Sequence, residues 1–264
     1  MNYQARTALF IVSGLGFLCF YIWGLHGLPG LGHYPGPYGN LINSLTVYER
    51  HATDAVTAVN FDYRGFDTLG EEFILFASVM GANLLLRKQK DDKEEDPPLD
   101  RAQDRVVPPT SDAIRVTGLA LVLPIVVFGL YTISHGQLTP GGGFQGGVIL
   151  ASMPLIIYLC GDYKAFDQVT SHVLSEVTEA VGAGGYAIAG LISIAFGLNY
   201  LTNFIPLGQT GDVLSSGTIL LISVLTGLEV AGGLVVLMIA FFRQTLVYRK
   251  ADDESREQDE PSRQ

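Results

Sequence analysis

The amino-acid sequence predicts an all-α, polytopic integral membrane protein with about six transmembrane helices, and three observations predict it. Charged residues make up only 16% of the 264 residues, against about 25% in an average soluble domain. The charges are gathered into blocks, leaving uncharged runs between Arg6 and His26 and between Arg115 and His135, each close to the roughly 20 residues that cross a bilayer core. No charge falls from Gly136 to Gly161 or from Ala180 to Gly211, and from Val213 to Phe242 the one charge is Glu229.

In chain order the expected spans are 7–25, 66–86, 115–134, 144–161, 180–200 and 217–242. The first is a signal anchor, because its apolar region exceeds the usual length in a cleaved leader and no small-x-small site follows it. For the second, the uncharged run Phe73 to Leu86 covers only about 21 Å as a helix. It must therefore start near Phe66, which draws Glu71 and Glu72 to membrane depth. Spans three and four share residues 116–161, so only about six residues remain for their turn. That turn is the "TPGGGF" stretch. Two short non-spanning helices are also expected, over 41–59 and 165–179, where apolar residues recur at helical spacing.

Six spans place both termini on one side, and the positive residues choose it. With the N-terminus inside, 14 of the 16 Lys and Arg lie inside, leaving Arg50 and Arg64 outside. The chain divides into a two-span segment 1–86, an acidic cytoplasmic linker 87–114, a four-span domain 115–250 and an acidic tail 251–264 expected to be disordered. Linker and tail carry much of the net charge of −10, so that charge describes solvated segments. No basic patch points to nucleic acid. Cys19 and Cys160 lie in apolar spans without a CxxC or a histidine pair, which predicts plain packing and no disulfide, metal or cofactor. No nucleophile–base set or phosphate loop marks an independent enzyme.

The loop residues Pro140, Gly141, Gly142, Gly143 and Phe144, followed by Gly146 and Gly147, end one helix at the membrane boundary with backbone groups unpaired. Such backbone is tolerated only against protein or a wet cavity. The loop is expected either to pack on a partner subunit or to line an ion path, with Gln145 supporting the path. Glu229 lies near the middle of the last span, where an isolated ionised carboxylate is expensive, which makes it a candidate proton carrier or a hydrogen-bonded structural acid. Thr226 and Gly233 share its face, while Ser223, Gly227 and Ala231 form a small-residue stripe on the opposite side. Glu71, Glu72, Asp67 and Arg64 form a polar cluster at the outer end of span two, with helix capping as the alternative role. His135 ends span three and is a candidate for the ion path or a structural residue. Glu176 and Glu179, near the inner end of span five, are candidates for the path or for solvated residues.

These motifs carry a family resemblance. "TPGGGFQGGVILAS" resembles the signature loop of the B subunit of Mrp (Mnh) multisubunit Na+/H+ antiporters, and the four spans of 115–245 resemble that subunit. "SEVTEAVGAGGYAIAGL" is similar to the family pattern in which a glutamate, here Glu179, enters a glycine-rich helix. "VNFDYRGFDTLGE" resembles the C-terminal end of the antiporter A subunit and the E subunit of membrane-bound hydrogenases. In the last span "LTGLEVAGG" places Glu229 near the family aspartate. That variant, the altered position of the histidine and Gln145 are more similar to hydrogenase-type respiratory complexes. The resemblance implies an accessory subunit in the cell membrane, surrounded by lipid and by other subunits of an Mrp-type or hydrogenase-type complex, with Na+ and H+ as the transported ions.

Overall fold

The computed structural model describes residues 3–28, 36–86, 110–161 and 163–259; most of the linker 87–114 lies outside them. The described residues are helical apart from turns and loops, and six helices are long and apolar enough to cross a membrane. Two compact units are present, 1–41 and 42–264. The first contains α1 (Tyr3–His26), an uninterrupted apolar helix, and the start of α2 (Pro37–Arg50).

The second unit begins within α2. His51, with φ 52°, turns the chain out of that helix, so the helix expected over 41–59 is divided into α2 and α3 (Ala55–Ala58). Asp54 caps α3 by accepting from Val56 N at 3.1 Å. A π-helical turn, Val59–Tyr63, follows and leads into α4 (Gly65–Leu86), the second span. Next come α5 (Asp112–Ser134) and α6 (Gly143–Cys160). The short α7 (Tyr163–Val169) precedes α8 (His172–Ala195) and α9 (Thr218–Asp259).

Two boundaries differ from the sequence expectation. Span five was placed at 180–200, but Ser171 accepts from Leu174 N and starts α8 at His172. The helix expected over 165–179 is therefore α7 plus the first two turns of α8, and Glu176 and Glu179 belong to the span itself. The second difference is at the C-terminus. α9 runs to Asp259 where a disordered tail was expected from 251; no Gly or Pro interrupts 234–260, and Pro261 is the first breaker.

α9 is the central helix, packed against α8, α6, α4 and α5, while α5 and α6 form a hairpin. More than half of its apolar stretch is buried, the largest share among the spans. The outward faces carry residues such as Ile74, Leu85, Leu123 and Phe128, the apolar surface that hydrocarbon solvates without cost. Several hydroxyls within the spans bond back to their own helix, as Ser78 does to Ile74 O at 2.7 Å and Thr132 to Phe128 O at 2.8 Å. This satisfies them without water.

At one end of the bundle the loops are tied into a cap. Asn203 accepts from Thr218 N at 2.9 Å, which caps α9 from across the α8–α9 loop, and donates to Ser216 O at 2.9 Å. The carbonyl of Gln137, in the α5–α6 loop, accepts from Thr53 N at 3.0 Å and Asp54 N at 3.1 Å. The Gln137 amide donates to Val213 O at 2.7 Å. Three chain segments distant in sequence thus meet over the N-terminus of α9.

The glycine loop packs within the chain. Its glycines sit on this chain's own last helix. A Cβ on Gly143 would overlap the Ser223 carbonyl and come to 2.7 Å from Thr226 Cβ. Gly142 has φ 128° and accepts the turn that only glycine takes without strain, with its N–H on Thr132 O at 3.1 Å. The stripe of Ser223 and Gly227 faces the α5 end and this loop: Ser223 Oγ donates to Ile133 O at 2.9 Å.

Candidate functional site

Three carboxyls meet in the core. Glu72 on α4, Glu179 on α8 and Glu229 on α9 are 3%, 1% and 0% exposed. The side chains of Glu72 and Glu229 face and influence each other, and Glu229 in turn feels the charge of Glu179. Taken as ionised acceptors, both oxygens of Glu229, Oε2 of Glu72 and Oε1 of Glu179 meet no donor in the protein, and Thr226 Oγ1, one turn away from Glu229, is likewise unpaired; Glu72 and Glu229 lie close enough to share a proton between them. Among the described residues no three acids, histidines or cysteines converge as a metal site; the carboxyls are strung out across helices instead.

Backbone approach sets this arrangement. Gly182 on α8 lies against Glu229: an added Cβ would overlap Glu229 N and sit 2.6 Å from Glu229 Cβ. Reciprocally, a Cβ on Gly232 of α9 would sit 2.7 Å from Glu179 N. Each acid is thus opposite a glycine on the facing helix, and the two helices touch there along their backbones. Gly233, one residue on, leaves Glu179 Oε1 3.1 Å from where its Cβ would stand.

Which acids lie inside follows from helical rotation. Gly65, Thr68, Leu69, Glu72 and Val79 form the buried face of α4, spaced at three, four and seven residues. Glu71 is turned about 100° away and is exposed. Asp67 and Arg64 are exposed and pair with each other, so the polar cluster expected at this end is divided, with one of its members in the core. On α8, Glu179 lies two turns inside, and its neighbour in the direction of the helix start is Glu176, which His172 Nδ1 approaches at 3.3 Å.

Other residues singled out from sequence lie elsewhere. His135 stacks on Tyr131 with ring centroids 4.2 Å apart and contacts Ser134 Oγ at 3.0 Å, at the cap and away from the acids. Gln145 and Phe144 are exposed on α6, and Pro140 is exposed at the loop tip, whereas Gly142, Gly143, Gly146 and Gly147 are buried and Gly141 is half-buried. Cys160 packs on Gly118 of α5, and both cysteines are free.

Sequence reasoning missed Tyr186, Asp62 and Asn203. Tyr186, fully buried, donates to Gly65 O at 2.9 Å. Asp62 accepts from Arg50 Nε at 2.5 Å and Asn203 Nδ2 at 3.3 Å. Asp62, Asn203 and Gly65 border a cavity of about 440 Å³ at the cap end. There, burial and the hydrogen bond to Glu49 push the Tyr63 phenol up from its ordinary value. The buried tyrosine had one sequence signal: it lies seven residues after Glu179, on the same helical face.

A helical chain with six candidate spans, three of which bring carboxyls together in its core, defines a class: multi-pass subunits of membrane ion-transport complexes. Residues 113–236, just under half of the chain, match the domain related to the MnhB subunit of Na+/H+ antiporter. It is 29% identical to an uncharacterized protein of Methanocaldococcus jannaschii, covering 82% of this chain and 87% of that protein. It is 34% identical over 97 residues to the B subunit of the Na(+)/H(+) antiporter of Bacillus subtilis, covering 36% of this chain and 66% of that one.

Two solved structures share the fold. A chain of the membrane-bound sulfane sulfur reductase, an archaeal respiratory membrane complex, is 31% identical with a TM-score of 0.69, covering 90% of this chain and 98% of that one. A chain of the Mrp complex from Dietzia sp. DQ12-45-1b is 24% identical with a TM-score of 0.67; 91% of this chain matches 26% of that longer one. The protein is accordingly a multi-pass protein of the cell membrane.

Proposed function

We propose that this chain is an accessory membrane subunit of a multisubunit monovalent cation/proton antiporter of the Mrp type, and that Glu72, Glu229 and Glu179 form a segment of its ion path. The subunit would support Na+/H+ exchange without a catalytic site of its own. The observation that carries the reading is the set of unpartnered carboxyl oxygens shared by α4, α8 and α9. A polar group buried without a partner is costly, and carboxylates that face each other where water is excluded repel. Such a cluster exchanges a proton or a small cation more readily than it locks a fold. In this reading the cap faces outward and both termini lie inside, in keeping with the positive residues. The second span, α4, and the four-span domain 115–250 meet at the path.

Glu229→Gln and Glu72→Gln test the role of the acids. Na+-dependent collapse of a pH gradient in inverted membrane vesicles is expected to fall at least about tenfold, a loss of about 1.4 kcal/mol or more, with the complex still assembled. Unchanged exchange in both variants would remove the acids from the path.

A second reading places the same module in a redox-driven complex. It is favoured by the respiratory complex, in which a chain of matching length is covered over 98%. Mass spectrometry of the complex purified from native membranes decides between them. Purely membrane-embedded antiporter-like subunits support the gradient-driven exchanger, whereas iron–sulfur or nickel–iron subunits in constant ratio support electron transfer as the driving reaction.

A further inference from the structure

The cavity at the cap end lies between the π-helical turn, the start of α4 and the α8–α9 loop. Asp62, Arg64, Thr202 and Asn203 give it a polar lining, and Gly65 forms part of its wall. Gly65 is also where the buried face of α4 begins. Thr68 and Glu72 follow on that face at helical spacing, so Glu72 lies seven residues, about 10 Å, further into the bundle.

Tyr186 belongs to the buried apolar cluster that contains both Leu201 of the cavity lining and Leu69, one turn before Glu72, together with Phe61, Ile219 and Ile222. Its hydroxyl points toward the cavity wall, donating to Gly65 O at 2.9 Å, and the phenol is near enough to Glu72 to feel its charge. Thr68, the remaining hydroxyl on this face, is buried and donates to Asn60 O at 2.7 Å. An apolar ring held through its hydroxyl at Gly65 therefore lies against the part of α4 that runs from the polar cavity to the buried carboxyl of Glu72.

We propose that this cavity is the aqueous mouth through which the buried acids exchange protons with the cap side of the membrane, and that Tyr186 is the plug that closes it. The inference rests on the reading of Glu72, Glu229 and Glu179 as an ion path. Swinging the ring away requires breaking the bond to Gly65 O and displacing the apolar cluster, and either motion brings water to Glu72. Tyr186 is a positioning residue here: it controls access and does not carry the ion.

Cysteine accessibility tests this without measuring transport. In the complex with Cys19→Ser and Cys160→Ala, Thr202→Cys and Glu72→Cys are exposed separately to a charged, membrane-impermeant methanethiosulfonate, in vesicles of either orientation. Thr202→Cys is expected to react from the cap side in every background, which also reports that the cap has folded. Glu72→Cys is expected to stay unreacted while Tyr186 is present and to react from the cap side once Tyr186→Ala removes the plug. Tyr186→Phe keeps the ring and loses the tether, so its labelling rate is expected to rise about two- to tenfold; it remains informative if the alanine variant does not assemble.

Protection of Glu72→Cys in both variants while Thr202→Cys reacts would overturn the proposal. So would equally fast labelling with Tyr186 intact, or labelling confined to the opposite side. If the labelling follows the expected pattern while Glu72→Gln and Glu229→Gln exchange ions normally, the plug stands and the ion-path reading fails.

Discussion

Gly182→Ala probes the contact that fixes the level of the acids. The new methyl would overlap Glu229 N and lie 2.6 Å from both Glu229 Cβ and Leu225 O, whereas apolar atoms rest at about 3.5–4.0 Å. α8 and α9 must therefore separate by about 1 Å, and overpacking of this kind costs about 1–3 kcal/mol. Alanine also gains up to about 1 kcal/mol of helix propensity over glycine, which would mask part of the loss. Gly184, on the same helix with nothing within 4 Å of an added Cβ, supplies the control, because Gly184→Ala takes the propensity gain without the clash. The difference between the two variants isolates the packing cost. At about 2–4 °C per kcal/mol for a chain of this size, Gly182→Ala should unfold about 2–12 °C below Gly184→Ala. Heating the detergent-purified complex in steps and measuring the monodisperse fraction by size-exclusion chromatography reads this directly. Indistinguishable midpoints, or a higher one for Gly182→Ala, would refute backbone contact between α8 and α9 at Glu229.

Three further outcomes follow from the cap and the loop. Gly142→Leu places a side chain at φ 128° with its Cβ 3.0 Å from Gln145 Oε1; it should abolish stable assembly, measured as the yield of intact complex. Asn203→Ala removes the cap of α9 and the bond to Ser216 O, at about 0.5–1.5 kcal/mol for each bond, and should lower the unfolding temperature; an unchanged midpoint would show that the loop is held by other contacts. Asp62→Ala should destabilise more than Asp67→Ala in the same assay. Asp62 is 8% exposed beside Arg50, whereas the Arg64–Asp67 pair is open to solvent and an exposed pair contributes about 0–1 kcal/mol.

The sequence pattern revealed the spans because charge is excluded from hydrocarbon, and Glu229 was conspicuous as the lone charge in such a run. Glu71 and Glu72 were not separable by position in the run. They separate by rotation, since Leu69 and Val79 define the buried face and Glu72 shares it. Glu179 was placed at the boundary because the uncharged run starts one residue later. The cap by Ser171, a local signal in "TSHVLSE", moves the helix start two turns earlier and carries Glu179 inward. The turn at 139–144 and its close approach followed from arithmetic and from glycine. That the approaching backbone is the chain's own α9 depends on tertiary contacts between residues about 80 apart, as do the roles of Asn203, Gln137 and Tyr186. Local pattern carries no record of such pairings.

Glu72 and Glu229 belong to opposite sides of the linker, yet they face each other. A site divided between separate polypeptides forms only as far as their concentrations and affinity allow. A continuous chain makes the second encounter intramolecular. It also fixes the supply of the two parts at one to one, so neither can accumulate alone with an unpaired carboxyl facing the lipid. Covalent continuity between Leu86 and Asp112 therefore sets the ratio of the two parts at synthesis.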